Sequence, residues 1–315
     1  NMRLFVDMDG TIAKWNNVAF EDLYQQGYYK NLEPDKAILD EVKMLIELNI
    51  DVYILSAYLP DIYDDNTGEL IKKSYALQDK QEWIEKYLPE INKDNVIFVP
   101  YGTNKAEYLK ENYSPVYEDD YLLDDYTNNL NEWEGYGGTG IKYRNGINGT
   151  KGTWKGLSVE HTEPNLFATI PETSKILDML NRNPSFHCAC HIDNATEIYN
   201  FMNTISFVRN EFVSKVNPKN IRSPQQLIEK LKQEGYEYSI IDEIPPIVDV
   251  YLDDCTVTYY IKEKECTIPD IEVYSNADTI ASVSLENAEK LFDDIQDAAS
   301  YLNNDTIDND YHMDY

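Results

Sequence analysis

The sequence predicts an α/β domain built on a mostly parallel sheet with helices on both faces, followed by an α+β module. Short apolar strands alternate with amphipathic helical stretches through the first half of the chain. Most of those strands run straight into a polar residue able to do chemistry. Near residue 170 the texture changes, and long helical stretches are followed by a run of strands. At 315 residues the chain is long enough for two domains with real cores. The expected division is 1–160 and 161–302, with an acidic, mobile tail over 303–315.

The elements follow in order. Arg3–Val6 reads as a strand and ends in Asp7-Met8-Asp9-Gly10-Thr11. Ile38, Val42, Leu45 and Ile46 stand at helical spacing, so Pro34–Leu48 is a helix. Val52–Leu55 is a second strand, ending at Ser56, and Ser74–Tyr87 a helix stopped near Pro89. Asn95–Val99 is a third strand, Lys105–Glu111 a short helix, and Tyr121–Leu123 a fourth strand ending in Asp124-Asp125.

Eight of the 13 glycines then fall between Gly135 and Gly156, without the spacing of a P-loop. They read as turns around a short strand, Ile141–Tyr143, at the edge of the first domain, with a substrate-facing loop as the competing reading. Beyond residue 170, Glu172–Leu180, Ala195–Val216 and Pro224–Glu234 read as helices. Val248–Leu252, Thr256–Ile261 and Ile271–Tyr274 read as strands, and Ser284–Leu302 as a last helix.

Composition narrows the function classes. With 57 acidic against 27 basic side chains the net charge is −30, and both halves share it. Such a field repels a phosphate backbone, so direct nucleic-acid binding is not expected. A small phosphorylated substrate remains compatible where a metal ion masks the local charge. A hydrophobic content of 42% excludes wholesale disorder. No apolar run approaches the roughly 20 residues of a membrane span, and the start lacks a signal-peptide pattern. A soluble cytoplasmic protein is the expectation.

Cys188, Cys190, Cys255 and Cys266 all lie in the second half and read as reduced thiols rather than a disulfide framework. His187-Cys188-Ala189-Cys190-His191 has no separated second ligand pair, and a strand would divide its ligands between two faces. Buried thiols are favoured there over zinc. The acidic runs Glu118-Asp119-Asp120 and Asp61–Asp65 are expected to be solvated loops, with loose Ca²⁺ binding as the lesser alternative.

Four sites recur at strand ends or a helix start: Asp7-Met8-Asp9-Gly10-Thr11, Ser56, Lys105 and Asp124-Asp125. In a parallel α/β sheet, the carboxyl ends of the strands form one ligand-binding edge. Four carboxylates gathered there repel one another unless a cation is bound, and an all-oxygen set suits Mg²⁺. Lys105 adds a compact positive charge and Ser56 a hydroxyl, so the edge fits a phosphoryl group with its metal.

This pattern resembles the haloacid dehalogenase-like (HAD) superfamily over about residues 3–150, which implies a Rossmann-like core. The resemblance implies Asp7 as the nucleophile that forms an aspartyl-phosphate, and Asp9 as general acid and then base. It implies Ser56, Lys105, Gly10 and Thr11 around the phosphate, and Asp7, Asp9 (through its carbonyl), Asp124 and Asp125 around Mg²⁺. An Asp at position 9 fits a phosphatase, because a leaving alkoxide needs a proton.

Lys30-Asn31-Leu32-Glu33-Pro34, Gln81–Tyr87 and Leu122–Asn128 further resemble the 5'(3')-deoxyribonucleotidase group, implying a nucleoside monophosphate as substrate. Only 22 residues separate Thr11 from Pro34, so the cap is reduced. Trp15, Phe20, Tyr24, Tyr28 and Tyr29 within it fit either a lid that stacks on a ring or packing of the cap on the core. The rival class is a non-enzymatic acidic interaction protein with a degenerate HAD-like domain. Its residues 157–315 carry 11 basic and 29 acidic side chains and would mimic nucleic acid toward a basic protein partner.

Overall fold

Arg3–Val6 forms β1, at the centre of a six-stranded, all-parallel sheet. Around it stand β2 (Asp51–Tyr58), β5 (Val96–Pro100), β6 (Asp120–Asp124), β7 (Thr139–Arg144) and β8 (Leu157–Glu160), in the order β5-β2-β1-β6-β7-β8. The computed structural model describes residues 2–149, 152–182, 203–243, 246–253, 255–260, 270–275, 283–284, 290, 293 and 297. They fall into two units that part between Thr173 and Ser174.

The first unit is a Rossmann-like α/β domain. Its central strands are near-continuous apolar runs, as a sheet buried on both faces requires. Alternation sends Phe5, Leu55, Ile97 and Leu122 to one face, where they pack with Ala106 and Leu109 of α3 (Lys105–Asn112) and Leu130 and Trp133 of α4 (Thr127–Gly135). Leu4, Val6, Val52 and Ile54 take the other face. α1 (Lys36–Glu47) and α2 (Ala76–Tyr87) bury one stripe each. The order of the strands reverses between β1 and β6, so β1 runs on into the switch-point crevice.

Several details depart from the sequence reading. Ile141–Tyr143 does not mark the sheet edge: β7 is flanked by β8, a strand of only four residues. The Asp61–Asp65 run lies on a solvent-facing hairpin of β3 (Ile62–Tyr63) and β4 (Leu70–Lys72), with Asp64 and Asp65 in its turn. Asp61 Oδ1 accepts from Ser74 N at 2.6 Å, and Asp64 Oδ1 accepts from Asn66 N and Thr67 N at 2.9 and 2.8 Å. Asp120 is fully buried, because Arg3, far away in sequence, pairs with it.

After β8 come two short helices, α5 (Leu166–Thr169) and α6 (Pro171–Arg182), the second crossing the boundary. Glu41 of α1 accepts from Leu166 N at 2.5 Å and Phe167 N at 3.3 Å, which fastens the start of α5.

The second unit holds an antiparallel sheet, β13-β12-β11-β10-β9, from β9 (Glu237–Glu243), β10 (Pro246–Tyr251), β11 (Cys255–Tyr260), β12 (Asp270–Ser275) and β13 (Val283–Ser284). β9 was not expected. Residues 203–215 are helical, with a π-turn at Val208–Phe212. The helix Pro224–Glu234 is capped by Ser223 and stopped by Gly235 in the left-handed region. Phe212, Leu227, Leu231, Val248, Val257 and Tyr259 are buried, as is Cys255.

The His187–His191 run with Cys188 and Cys190, Cys266, the first residues of the Ala195–Val216 helix, most of the Ser284–Leu302 helix and the 303–315 tail lie outside the described residues. Among the described residues, no helix is long and apolar enough to cross a membrane.

Candidate active site

β1 hands the chain to a tight turn. Asp7 N still donates to Leu123 O at 2.9 Å, continuing the sheet, and then Thr11 N and Ala13 N both fold back on Met8 O, at 3.2 and 2.9 Å. Gly10 holds the turn with φ +78°, and a Cβ there would strike the Asp125 carboxylate, its Cγ at 2.8 Å. The turn therefore needs glycine for its conformation and for the closeness of Asp125.

Asp124 is the last residue of β6, and Lys105 the first of α3, whose N-cap Asn104 accepts from Glu107 N at 3.0 Å. Lys105 Nζ reaches Asp7 Oδ1 at 2.6 Å and Asp124 Oδ2 at 2.7 Å. Carboxylate oxygens of Asp7, Asp124 and Asp125 lie within 4.8 Å of one another, all three residues buried.

One shared lysine does not balance three carboxylates. Burial pushes the Asp7 carboxyl up to about 8 against the pull of Lys105, and Asp124, Asp125 and Asp9 add to the rise. Burial and Asp124 likewise push Asp125 up to about 7, against a hydrogen bond from Asn148. Burial opposes the charge on Lys105, yet Asp124 and Asp7 together hold its ammonium above its ordinary range.

This excess of hard oxygen donors is what a divalent cation relieves, so the residues present fit Mg²⁺. The supporting groups steer particular oxygens. Tyr126 N donates to Asp124 Oδ1 at 2.8 Å, and Asn129 Nδ2 to Asp124 Oδ2 at 2.9 Å. Asn145 Nδ2 donates to Gly10 O at 2.8 Å and to Asp125 Oδ2 at 2.9 Å, and Asn148 Nδ2 bonds the same oxygen. Lys142 Nζ binds the Asp125 carbonyl and Thr127 Oγ1, and burial lowers its pKa.

A cleft of about 490 Å³ opens over this cluster. Asp7, Asp9, Lys105, Asp124 and Asp125 line it, so five of the residues singled out in the sequence meet at one surface. Ser56, Gly10 and Thr11 are fully buried or nearly so and stand outside that lining. Ser56 lies within β2, which continues to Tyr58.

Trp15, Phe20 and Tyr29 of the cap segment line the cleft, while Tyr24 is buried and Tyr28 half-buried against Trp15 and Tyr29. Tyr58, Tyr101 and Tyr126, at the ends of β2, β5 and β6, complete the rim.

Sequence reasoning missed Lys80, Asn145 and Asn148. Lys80 could have been noticed as a charge on the buried stripe of α2, one turn from both Ala76 and Ile84. Asn145 and Asn148 carried no signal beyond the glycine-rich loop around them.

No protein-family model matches the chain, and no curated protein does. Among solved structures, the chain is similar to the D,D-heptose 1,7-bisphosphate phosphatase from Burkholderia thailandensis. The identity is 11% and the TM-score 0.35, over 51% of this chain and 92% of that one.

Proposed function

We propose that residues 1–160 form a phosphatase domain of the HAD-like superfamily, a Mg²⁺-dependent phosphomonoester hydrolase working through an aspartyl-phosphate on Asp7. The observation that carries this reading is the meeting of Asp7, Lys105, Asp124 and Asp125 at the switch-point crevice, with Asp9 two residues beyond the nucleophile.

Asp7, Asp124, Asp125 and the Asp9 carbonyl are the groups assigned to Mg²⁺. When bound, the ion neutralises the crowded carboxylates and phosphoryl oxygens. An Asp7 oxygen attacks phosphorus in line, and the bond from phosphorus to the leaving oxygen breaks as the new one forms. Asp9 gives that oxygen a proton. It then takes one from the water that attacks the aspartyl-phosphate, freeing inorganic phosphate and restoring Asp7. Lys105 holds Asp7 and Asp124 and meets charge on the phosphoryl group, while Ser56 and the Gly10-Thr11 turn, buried outside the cleft lining, back that edge of the site.

A nucleoside monophosphate is the substrate that suits the cleft. Trp15, Phe20, Tyr101 and Tyr126 offer flat faces for a base. Lys105 is the cation of the lining among the described residues, enough for one phosphate. Residues 161–302 are proposed as a separate module whose acidic surface suits a basic protein partner.

The test is phosphate release from a panel of nucleoside monophosphates and sugar phosphates, with and without Mg²⁺. Wild type should release phosphate only with the metal, fastest from nucleotides, and Asp7→Asn should lose about 10⁴-fold or more. Release unaffected by Asp7→Asn would overturn the mechanism, and none from wild type would overturn the activity.

A further inference from the structure

Lys80 is a lysine without solvent exposure, on the same stripe of α2 as Ala76 and Ile84. Burying an ammonium costs several kcal/mol unless it is paired and its protons are bonded. Here the pairing is complete. Its Nζ forms an ion pair with Asp9 Oδ2 and donates to Ser56 Oγ at 3.1 Å and to the Ala57 carbonyl at 2.6 Å. The ammonium also lies 5.0 Å from the centre of the Tyr29 ring. Three donors meet three acceptors, two of them on residues assigned to the reaction.

The consequence lies in what remains. Asp9 Oδ2 is occupied by Lys80, whereas Asp9 Oδ1 is buried and has no hydrogen-bond partner. Ser56 Oγ accepts from Lys80, which leaves the hydroxyl hydrogen to donate elsewhere. A single buried cation thus fixes the orientation of both side chains.

We infer that Lys80 is a positioning residue for the reaction: it clamps Asp9 through Oδ2 and so fixes the orientation in which the Asp9 carboxyl exchanges a proton with the leaving group and with water. The inference rests on the phosphatase reading and concerns geometry alone. Lys80 touches no reacting atom in it.

The test exploits the leaving group. A p-nitrophenolate departs without a proton, whereas an alkoxide needs one. In kcat/KM, which reports the steps through departure of that group, Lys80→Met should lose about 100-fold on an alkyl phosphate and less than about fivefold on p-nitrophenyl phosphate. Lys80→Met added to Asp9→Asn should then cause no further loss on the alkyl ester.

Equal losses on both esters, or a full further loss on the Asp9→Asn background, would overturn the inference and leave the phosphatase reading standing. Wild type inactive on both esters would overturn the two together. Should Lys80→Met lack a cooperative melting transition, Lys80→Gln is read by the same criteria.

Discussion

The two ends of one strand pair, β1 and β6, differ in how their charge is settled. At the amino end Arg3 faces Asp120 in register, its Nε bonding Oδ1 at 2.7 Å and its Nη2 bonding Oδ2. Tyr117 N donates to Asp120 at 2.7 Å, and Ser114 Oγ and Pro115 O accept two further guanidinium protons. That end is a charge-balanced pair. At the carboxyl end, Asp7, Asp124 and Asp125 share Lys105, and burial and their mutual repulsion push Asp7 and Asp125 far above the usual carboxylate range. A balanced buried pair holds a fold together, while an unbalanced one is kept for something it binds.

The sharpest way to break this contrast is to remove each cation in turn. Lys105→Met leaves three buried carboxylates without their shared cation. It should destabilise the protein by about 3–5 kcal/mol in urea titrations, with Mg²⁺ recovering part of the loss. Arg3→Leu strands Asp120 and should destabilise by about 3 kcal/mol, with no recovery by Mg²⁺ and kcat little changed. Equal recovery of both variants would erase the distinction between the two ends.

Stability against pH gives the next effect. Burial pushes Glu41 up to about 7, although the N–H groups of Leu166 and Phe167 pull the other way. As pH rises from 4.5 the unfolded chain gives up this proton first, so stability falls until about 7, by on the order of 3 kcal/mol. Asp7 and Asp125 add a loss of the same sign in the absence of metal, reaching to about 8. Glu41→Gln keeps the acceptor and should flatten the fall in urea midpoint between about pH 5 and about pH 8, leaving a residue that Mg²⁺ suppresses.

The smallest effect separates stability from function. Asp125→Asn should stabilise the metal-free protein by about 1 kcal/mol, read as a higher Tm, while Mg²⁺-dependent release falls.

What could be read in the sequence was local. Asp7-Met8-Asp9-Gly10-Thr11 and Asp124-Asp125 adjoin apolar strands, so their place at one sheet edge follows from the strands. Lys105 stands out because Asn104 caps its helix. What escaped depended on partners distant along the chain. Asp120 looked like solvated acid until Arg3 was found beside it, and Lys80 looked like one more helix lysine until α2 packed it against Asp9 and Ser56. β8 and β9 escaped for another reason. Leu157–Glu160 is too short for periodicity, and Glu237–Glu243 is bounded by acids.

Acid quenching during turnover shows whether Asp7 carries the phosphoryl group. The protein, supplied with Mg²⁺ and the phosphomonoester that ranks highest, is quenched, digested and analysed by mass spectrometry. An acid-stable, hydroxylamine-labile phosphoryl adduct is expected on the peptide containing Asp7 and should be absent from Asp7→Asn. Turnover that leaves that peptide unlabelled, or that places the adduct on another residue, would contradict that role for Asp7.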